Sequence, residues 1–442
     1  MERFLEKELI DWKNGDHIPL LLRGARQVGK SYLVELFGKK HFDNIVKIDF
    51  ELNNIFKDCF QTKEPIEILK RIEVIVNQKI VPGKSLLFLD EIQECPEALI
   101  SLRYFKEKMP SLHVIAAGSL MEFLLNSNDF SFPVGRVDFL YLRPFSFKEF
   151  LKYKSPLLFE KISSYTLSSI ITDVEHNIFL KLLREYLFTG GMPAAVDKYL
   201  ETNSFFEAQK IHIRILKSYE SDFGKYADHV QHKYLQIIFQ KAPSLISQII
   251  KYVNIDSDLR SRELKPALDL ISHAGLINQI FATTASGLPL HAHIRYNRFK
   301  LLFLDVGLLQ TANIVDAEDF FNKEILQINS GVIAEQFVGQ ELIFYDDPSQ
   351  NKSLLFWENE KTLSEIDYIK TIDSKIIPIE VKSGSTGSLK SLHNFIKLKK
   401  TPFGIRISQN PLSFYDNILS IPLYLLSEMN RFTIEAFQKA KK

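Results

Sequence analysis

The sequence predicts an α/β chain of several domains, and three stretches carry that expectation. The apolar run "IPLLL" (18–22) meets a glycine-bearing loop and then a segment with helical spacing. A second apolar run, "SLLFLDE" (85–91), ends in two carboxylates. Far downstream, "LLFWENEKTLSEIDYIKTIDSKIIPIEVKSG" (354–384) reads as a hairpin that bears acids and a lysine. Short apolar runs alternating with helical spacing are the pattern of buried strands joined by helices.

Composition sets the frame for these elements. The chain has 442 residues, enough for two to four domains with cores of their own. Hydrophobic residues make up 45% and charged residues 25%, as in an ordinary globular protein. Phe is abundant, at 35 residues, so the cores are expected to be aromatic-rich. The formal net charge of +1 gives no global field for nucleic acid, and any basic surface must be local. Two cysteines, Cys59 and Cys95, are too few for a zinc site or a disulfide framework, so a reduced, cytoplasmic setting is expected. The opening "MERFLEKELIDWKNG" is charged and helix-like, so no signal peptide is expected there. No stretch reaches the roughly 18–20 apolar residues of a membrane span, so no membrane partner is expected.

The first run leads into "GARQVGKS", which matches G-x-x-x-x-G-K-[ST] at Gly24, Gly29, Lys30 and Ser31. "SYLVELFGKK" follows with helical spacing at Tyr32, Leu33, Leu36 and Phe37. Strand, loop and helix thus come in the order a phosphate-binding loop requires. Glycines let backbone N–H groups turn inward around phosphate oxygens, and a helix N-terminus adds its positive dipole end. Gly24, Ala25, Arg26, Gln27, Val28, Gly29, Lys30, Ser31 and Tyr32 are therefore the expected nucleotide contacts, with Arg26 packing or pairing rather than catalysing. Lys30 is expected to reach the β- and γ-phosphates of ATP, and the Ser31 hydroxyl to ligate Mg²⁺.

In "SLLFLDE", Asp90 is expected to hold Mg²⁺ through water and Glu91 to polarise the attacking water, which marks hydrolysis rather than kinase chemistry. A third strand, "LHVIAAGS" (112–119), ends at Ser119, placed either to sense the γ-phosphate or only to cap the next helix. In "FPVGRVDFLYLRPFSFKEFL" (132–151), Arg136 follows a glycine and is either an arginine finger acting across a subunit boundary or a salt-bridged surface residue.

"RGARQVGKS", "LLFLDEIQ", "AAGS" and "GRVDFLYLRPFSFKEFL" resemble the AAA-type ATPases of bacteria and archaea that carry a C-terminal domain of unknown function. "FTGGMPAAV" (188–196) and "KLLFLDVGLL" (300–309) are similar to further landmarks of that family. The resemblance covers nearly the whole chain. It implies an ATPase and is far less specific about what the ATP is used for.

Residues 152–205 have helix-like spacing, a helical lid after the nucleotide core, with Gly190, Gly191 and Pro193 shaping a turn. From 206 to 315 helical segments, broken at Pro243, lead to a helix and then a strand pair around "SGLP", the pattern of a winged helix. Arg260, Arg262, Lys265, Arg295, Arg298 and Lys300 fall at its recognition helix and wing, where DNA phosphates would be met; winged helices also dock proteins.

In the last segment Glu365-Ile-Asp367 is expected to end one strand and Glu380-Val-Lys382 to lie on the next. Alternation puts Glu380 and Lys382 on one face. Asp367, Glu380 and Lys382 match the D…E-x-K core of restriction-like nucleases, and the region resembles the PD-(D/E)XK fold. That resemblance implies a divalent metal held by Asp367 and Glu380, with Glu335 from the preceding helix, and a water-orienting Lys382. The alternative is a nuclease-like module kept for DNA binding or assembly.

The expected architecture is therefore a P-loop AAA-type ATPase core (1–151), a helical lid (152–205), a winged-helix-like domain (206–315) and a restriction-nuclease-like α/β domain (316–442). The expected function is Mg²⁺-dependent ATP hydrolysis coupled to DNA binding, remodelling or cleavage, in a homo-oligomer that includes a hexameric ring among its forms. Two alternatives stand beside it. One is a nucleotide-gated signalling or defence switch. The other is a protein-remodelling ATPase with an inactive nuclease-like module.

Overall fold

The structure is a computed structural model. It describes residues 1–118, 135–226, 229–255, 259–313, 330–359, 364–384 and 388–440. The chain divides into two compact units. The first holds residues 1–143 with the short segments 273–275 and 347–351, and the second holds the remainder.

The first unit is built on strands β1 (Leu20–Arg23), β2 (Asn44–Asp49), β3 (Ser85–Asp90), β4 (His113–Ala117) and β5 (Asp138–Tyr141). They form one sheet in the order β2-β3-β4-β1-β5, and every neighbouring pair is parallel. All residues of β3 and β4 are buried, which is why they read as unbroken apolar runs rather than alternating ones. Leu21, Val46, Ile48, Phe50, Leu87, Leu89, Val114 and Ala116 pack with Ile68, Ile72, Leu99 and Leu102 in one core. That core fixes the strands, and the carboxyl end of β1, an interior strand, leads into the loop before helix Lys30–His41. Ligands of open parallel sheets bind at such strand ends.

The second unit has an eight-stranded sheet in the order β12-β13-β11-β10-β9-β8-β6-β7. Its strands are β6 (Ile277–Thr283), β7 (Ile294–Phe303), β8 (Leu355–Asn359), β9 (Ser364–Ile372), β10 (Lys375–Val381), β11 (Gly404–Ser408), β12 (Ser413–Tyr415) and β13 (Ile418–Pro422). Helices Phe147–Lys154 and Asp173–Thr189 both start in capping boxes, Ser146 with Glu149 and Thr172 with Glu175.

Three local expectations are corrected here. Pro243 does not break a helix: it sits in the last turn of the continuous helix His229–Leu245, where little ladder remains to lose. Residues 354–384 form three strands rather than a hairpin, and Glu365-Ile366-Asp367 opens β9 instead of ending a strand. The antiparallel pair β6–β7, expected as a wing, does not stand apart. Its β6 edge pairs in parallel with β8 from Phe281 to Thr283, so the sheet runs across the expected 315/316 boundary. A free strand edge is a costly surface, and β8 covers it. Among the described residues no helix is long and apolar enough to cross a membrane.

Candidate functional site

The phosphate loop takes its shape from backbone conformations that side chains rarely allow. Gly24 has φ +146° and Gly29 has φ +94°. A Cβ on Gly24 would lie 2.3 Å from the Leu142 carbonyl oxygen, so only glycine fits. Lys30 is buried, and its ammonium donates to the carbonyl oxygens of Gly24 at 2.9 Å and Ala25 at 3.0 Å. Burial pulls the Lys30 pKa down to about 8, against the opposing attraction of Glu91 and Asp90. The side chain thus spans the mouth of its own loop.

Ser31 Oγ donates to Asp90 Oδ1 at 3.0 Å, which brings together the two residues expected to hold Mg²⁺. The register of β2 against β3 then adds a residue the sequence reading missed. Lys47 Nζ lies 3.0 Å from Asp90 Oδ2 and 2.8 Å from Glu35 Oε1. Burial works against the Lys47 charge, but these two carboxylates outweigh it and raise its pKa. Glu91 sits in the left-handed region at φ +49°, and its Oε2 accepts from Gln93 Nε2 at 2.6 Å. A bulky residue held there is strained backbone of the kind that aims a functional side chain.

Arg3 is a second missed contributor. Its guanidinium donates to Val28 O at 3.2 Å and Arg143 O at 2.6 Å, bracing the loop from behind. Arg26 pairs with Glu51 at 3.8 Å, in line with a packing and pairing role. Tyr32 is exposed, and its hydroxyl accepts from the Met1 ammonium at 2.9 Å. Arg136 is about half exposed and shares Glu107 with Arg103, at 3.2 and 3.0 Å. Ser119 lies outside the described residues.

The second unit gathers the other expected residues into an acidic centre. The β9–β10 register pairs Tyr368 with Ile379, which sets Asp367 beside Glu380 on adjacent strands. Asp367 Oδ2 accepts from Val381 N at 2.7 Å, and Lys382 Nζ donates to Glu380 Oε1 at 2.7 Å. Lys300 comes to the same place from β7. Its side chain is 1% exposed and its ammonium lies 2.7 Å from Glu335 Oε1 and 3.8 Å from Asp367 Oδ1, with Glu365 also in direct contact. Burial raises the pKa of both Glu335 and Glu380; Lys300 opposes the shift at Glu335, and Asp367 reinforces it at Glu380.

Lys300 is thus corrected from an exposed DNA contact to a buried ion-pair centre, because its strand faces the carboxylates of β9. Arg298 is half-buried against Glu358, with Nη2 2.6 Å from Oε2. Arg260, Arg262, Lys265 and Arg295 remain exposed. Asp367, Glu380 and Glu335 do not converge as a metal cage: among the described residues no group of three or more His, Cys, Asp or Glu is arranged to hold a metal ion.

Comparison with known proteins bears on the whole chain. The family model described as an AAA domain matches residues 16–151. Two models described as domains of unknown function, DUF8612 and DUF4143, match residues 180–319 and 330–426. A search of curated proteins returns no match. Among solved structures, the chain is similar to a Walker-type ATPase of Pyrococcus abyssi, at 16% identity over 70% of this chain and 94% of that one, with a TM-score of 0.42. It is also similar to the Aeropyrum pernix ORC1 protein, solved in complex with DNA, at 10% identity over 71% and 93%, with a TM-score of 0.31. Cdc6p from Pyrobaculum aerophilum matches at 14% identity over 70% and 90%, with a TM-score of 0.23. The chain therefore carries an AAA-type P-loop ATPase domain over residues 16–151, followed by two domains of unknown function.

Proposed function

We propose that this protein is a Mg²⁺-dependent ATPase whose turnover is coupled to binding and remodelling of DNA. The observation that carries the reading is the phosphate loop with Ser31 Oγ on Asp90 and Glu91 beside it. Backbone N–H groups of residues 24–31 cradle the phosphates, and Lys30 exchanges the Gly24 and Ala25 carbonyls for phosphate oxygens. Ser31 and Asp90 would hold Mg²⁺, which would supply positive charge to screen the transferred phosphoryl group. Glu91 orients the attacking water and accepts its proton.

The DNA half of the proposal rests on Arg260, Arg262, Lys265 and Arg295, exposed at the start of helix Ser261–His273 and on β7. Phosphate contacts of this kind position a duplex without reading its sequence. In a homo-oligomer Arg136 reaches the nucleotide of a neighbouring copy, and mixing Arg136→Ala with Glu91→Gln then restores turnover at mixed interfaces. A chain that stays monomeric in every nucleotide state excludes that role.

A protein-remodelling ATPase is the second reading. Leu52, Ile55, Ile66 and Val74 are each more than half exposed on the ATPase unit, and an open groove is lined by Ile55, Cys59, Val74 and Ile75. ATP turnover measured alone and with single-stranded, duplex or branched DNA decides between the readings. Stimulation by DNA supports the first; ATP turnover indifferent to all three sinks it in favour of the second.

A further inference from the structure

The acidic centre brings together the Asp367…Glu380-x-Lys382 residues of the expected nuclease pattern on paired strands, yet it already contains a cation. Lys300 reaches it from β7, outside the Asp367…Glu380-x-Lys382 pattern. Its ammonium contacts Glu335, Glu365 and Asp367 together, and its side chain is 1% exposed. The ring of Phe356 lies 5.4 Å from the same nitrogen and closes another side. Asp367 Oδ2 accepts from Val381 N, and Glu380 Oε1 accepts from Lys382. Glu380 Oε2 is buried without a hydrogen-bond partner.

A divalent ion held by Asp367, Glu380 and Glu335 would need their oxygens at about 2.0–2.6 Å from itself. The Lys300 ammonium occupies the Asp367–Glu335 side of that position, 2.7 Å from Glu335 Oε1 and 3.8 Å from Asp367 Oδ1. Displacing a lysine whose side chain is 1% exposed would leave its charge without these carboxylates, at the cost that breaking a buried pair carries. We propose that Lys300 is the permanent counter-cation of this centre, so that the nuclease-like site takes no divalent metal and does not cut DNA. The ammonium does for the carboxylates what Mg²⁺ does in an active enzyme of this layout, and it fastens β7 to β9 and to helix Ser330–Phe344. This inference stands apart from ATP hydrolysis, which uses residues of the other unit.

The test is Mn²⁺ titration of the full-length, nucleotide-free protein, followed by electron paramagnetic resonance. Mn²⁺ binding by the wild-type chain is expected to be the same in Asp367→Asn. Lys300→Met removes the ammonium and keeps the apolar stem. It is expected to gain a Mn²⁺ site at least tenfold tighter than any the wild type has in this unit, and Asp367→Asn added to it abolishes that site. A wild-type Mn²⁺ site that survives Asp90→Asn but is lost in Asp367→Asn overturns the proposal. So does nicking of plasmid DNA that disappears in Asp367→Asn. A folded Lys300→Met chain that gains no site overturns it as well. If Lys300→Met does not fold, the wild-type titration alone decides.

Discussion

In the proposed mechanism Lys30 and Glu91 separate binding from chemistry. Lys30→Ala removes the positive charge on the β- and γ-phosphates and is expected to abolish hydrolysis and strongly weaken ATP binding. Glu91→Gln keeps the loop intact and loses only proton acceptance, so it should bind ATP normally and turn over roughly 10²–10⁴-fold more slowly. Nucleotide binding and single-turnover assays read both, and unchanged turnover in the two variants removes the ATPase reading. The Lys30 pKa of about 8 adds a pH signature. Phosphate oxygens favour the ammonium and raise that pKa, so ATP binding above pH 8 should take up a proton that binding at pH 6.5 does not. Calorimetry in buffers of different ionisation enthalpy measures that uptake. In the proposed site Lys47, paired with Asp90 Oδ2, would compete with Mg²⁺ for that carboxylate. Lys47→Met should therefore lower the Mg²⁺ concentration at half-maximal turnover, and a rise in that concentration would refute the competition.

At the scale of elements, the two sequence landmarks "FTGGMPAAV" and "KLLFLDVGLL" turn out to be one joint. Asp305 caps helix Val306–Ala312, accepting from Gly307 N and Leu308 N at 3.0 Å each, and its other oxygen accepts from Gly191 N at 2.6 Å. Burial raises the Asp305 pKa to about 6, with the three backbone donors opposing that shift. Gly191 has no room for a side chain, since a Cβ would stand 2.1 Å from the Phe145 carbonyl oxygen. The sequence reading of these glycines as turn-formers found their conformation but not this partner. Gly191→Ala should cost about 1–3 kcal/mol through backbone displacement, read as a lowered urea midpoint. A midpoint unmoved by that substitution would mean the joint is not tight.

For the whole molecule, the coupling of two units is what the proposed function requires. Arg260→Ala with Arg262→Ala should weaken DNA binding at all sequences alike and flatten its salt dependence by roughly one unit of slope per lost phosphate contact. ATP turnover without DNA should be unchanged in that variant, because neither residue lies in the ATPase unit. Equal DNA affinity at low and high salt in wild type and variant would remove the DNA face from this region.

The sequence by itself determined where the glycine loop, Lys30, Ser31 and the Asp90-Glu91 pair fall, and most element positions. Strand, glycine loop, Lys30 and Ser31 follow one another directly along the chain, so covalent spacing alone places them, and β3 ends at Asp90 with Glu91 next to it for the same reason. It also identified Asp367, Glu380 and Lys382 as neighbours, since alternation along β10 and one antiparallel turn suffice. Only the tertiary structure decided which lysines meet which acids. Lys47 joins Asp90 through the β2–β3 register, and Lys300 joins Glu335 and Asp367 because β6 pairs with β8 and carries β7 into the same sheet. Strand pairing between distant segments leaves no local mark in a sequence. A buried lysine and an exposed one are written with the same letter, and the pairing of the strands tells them apart.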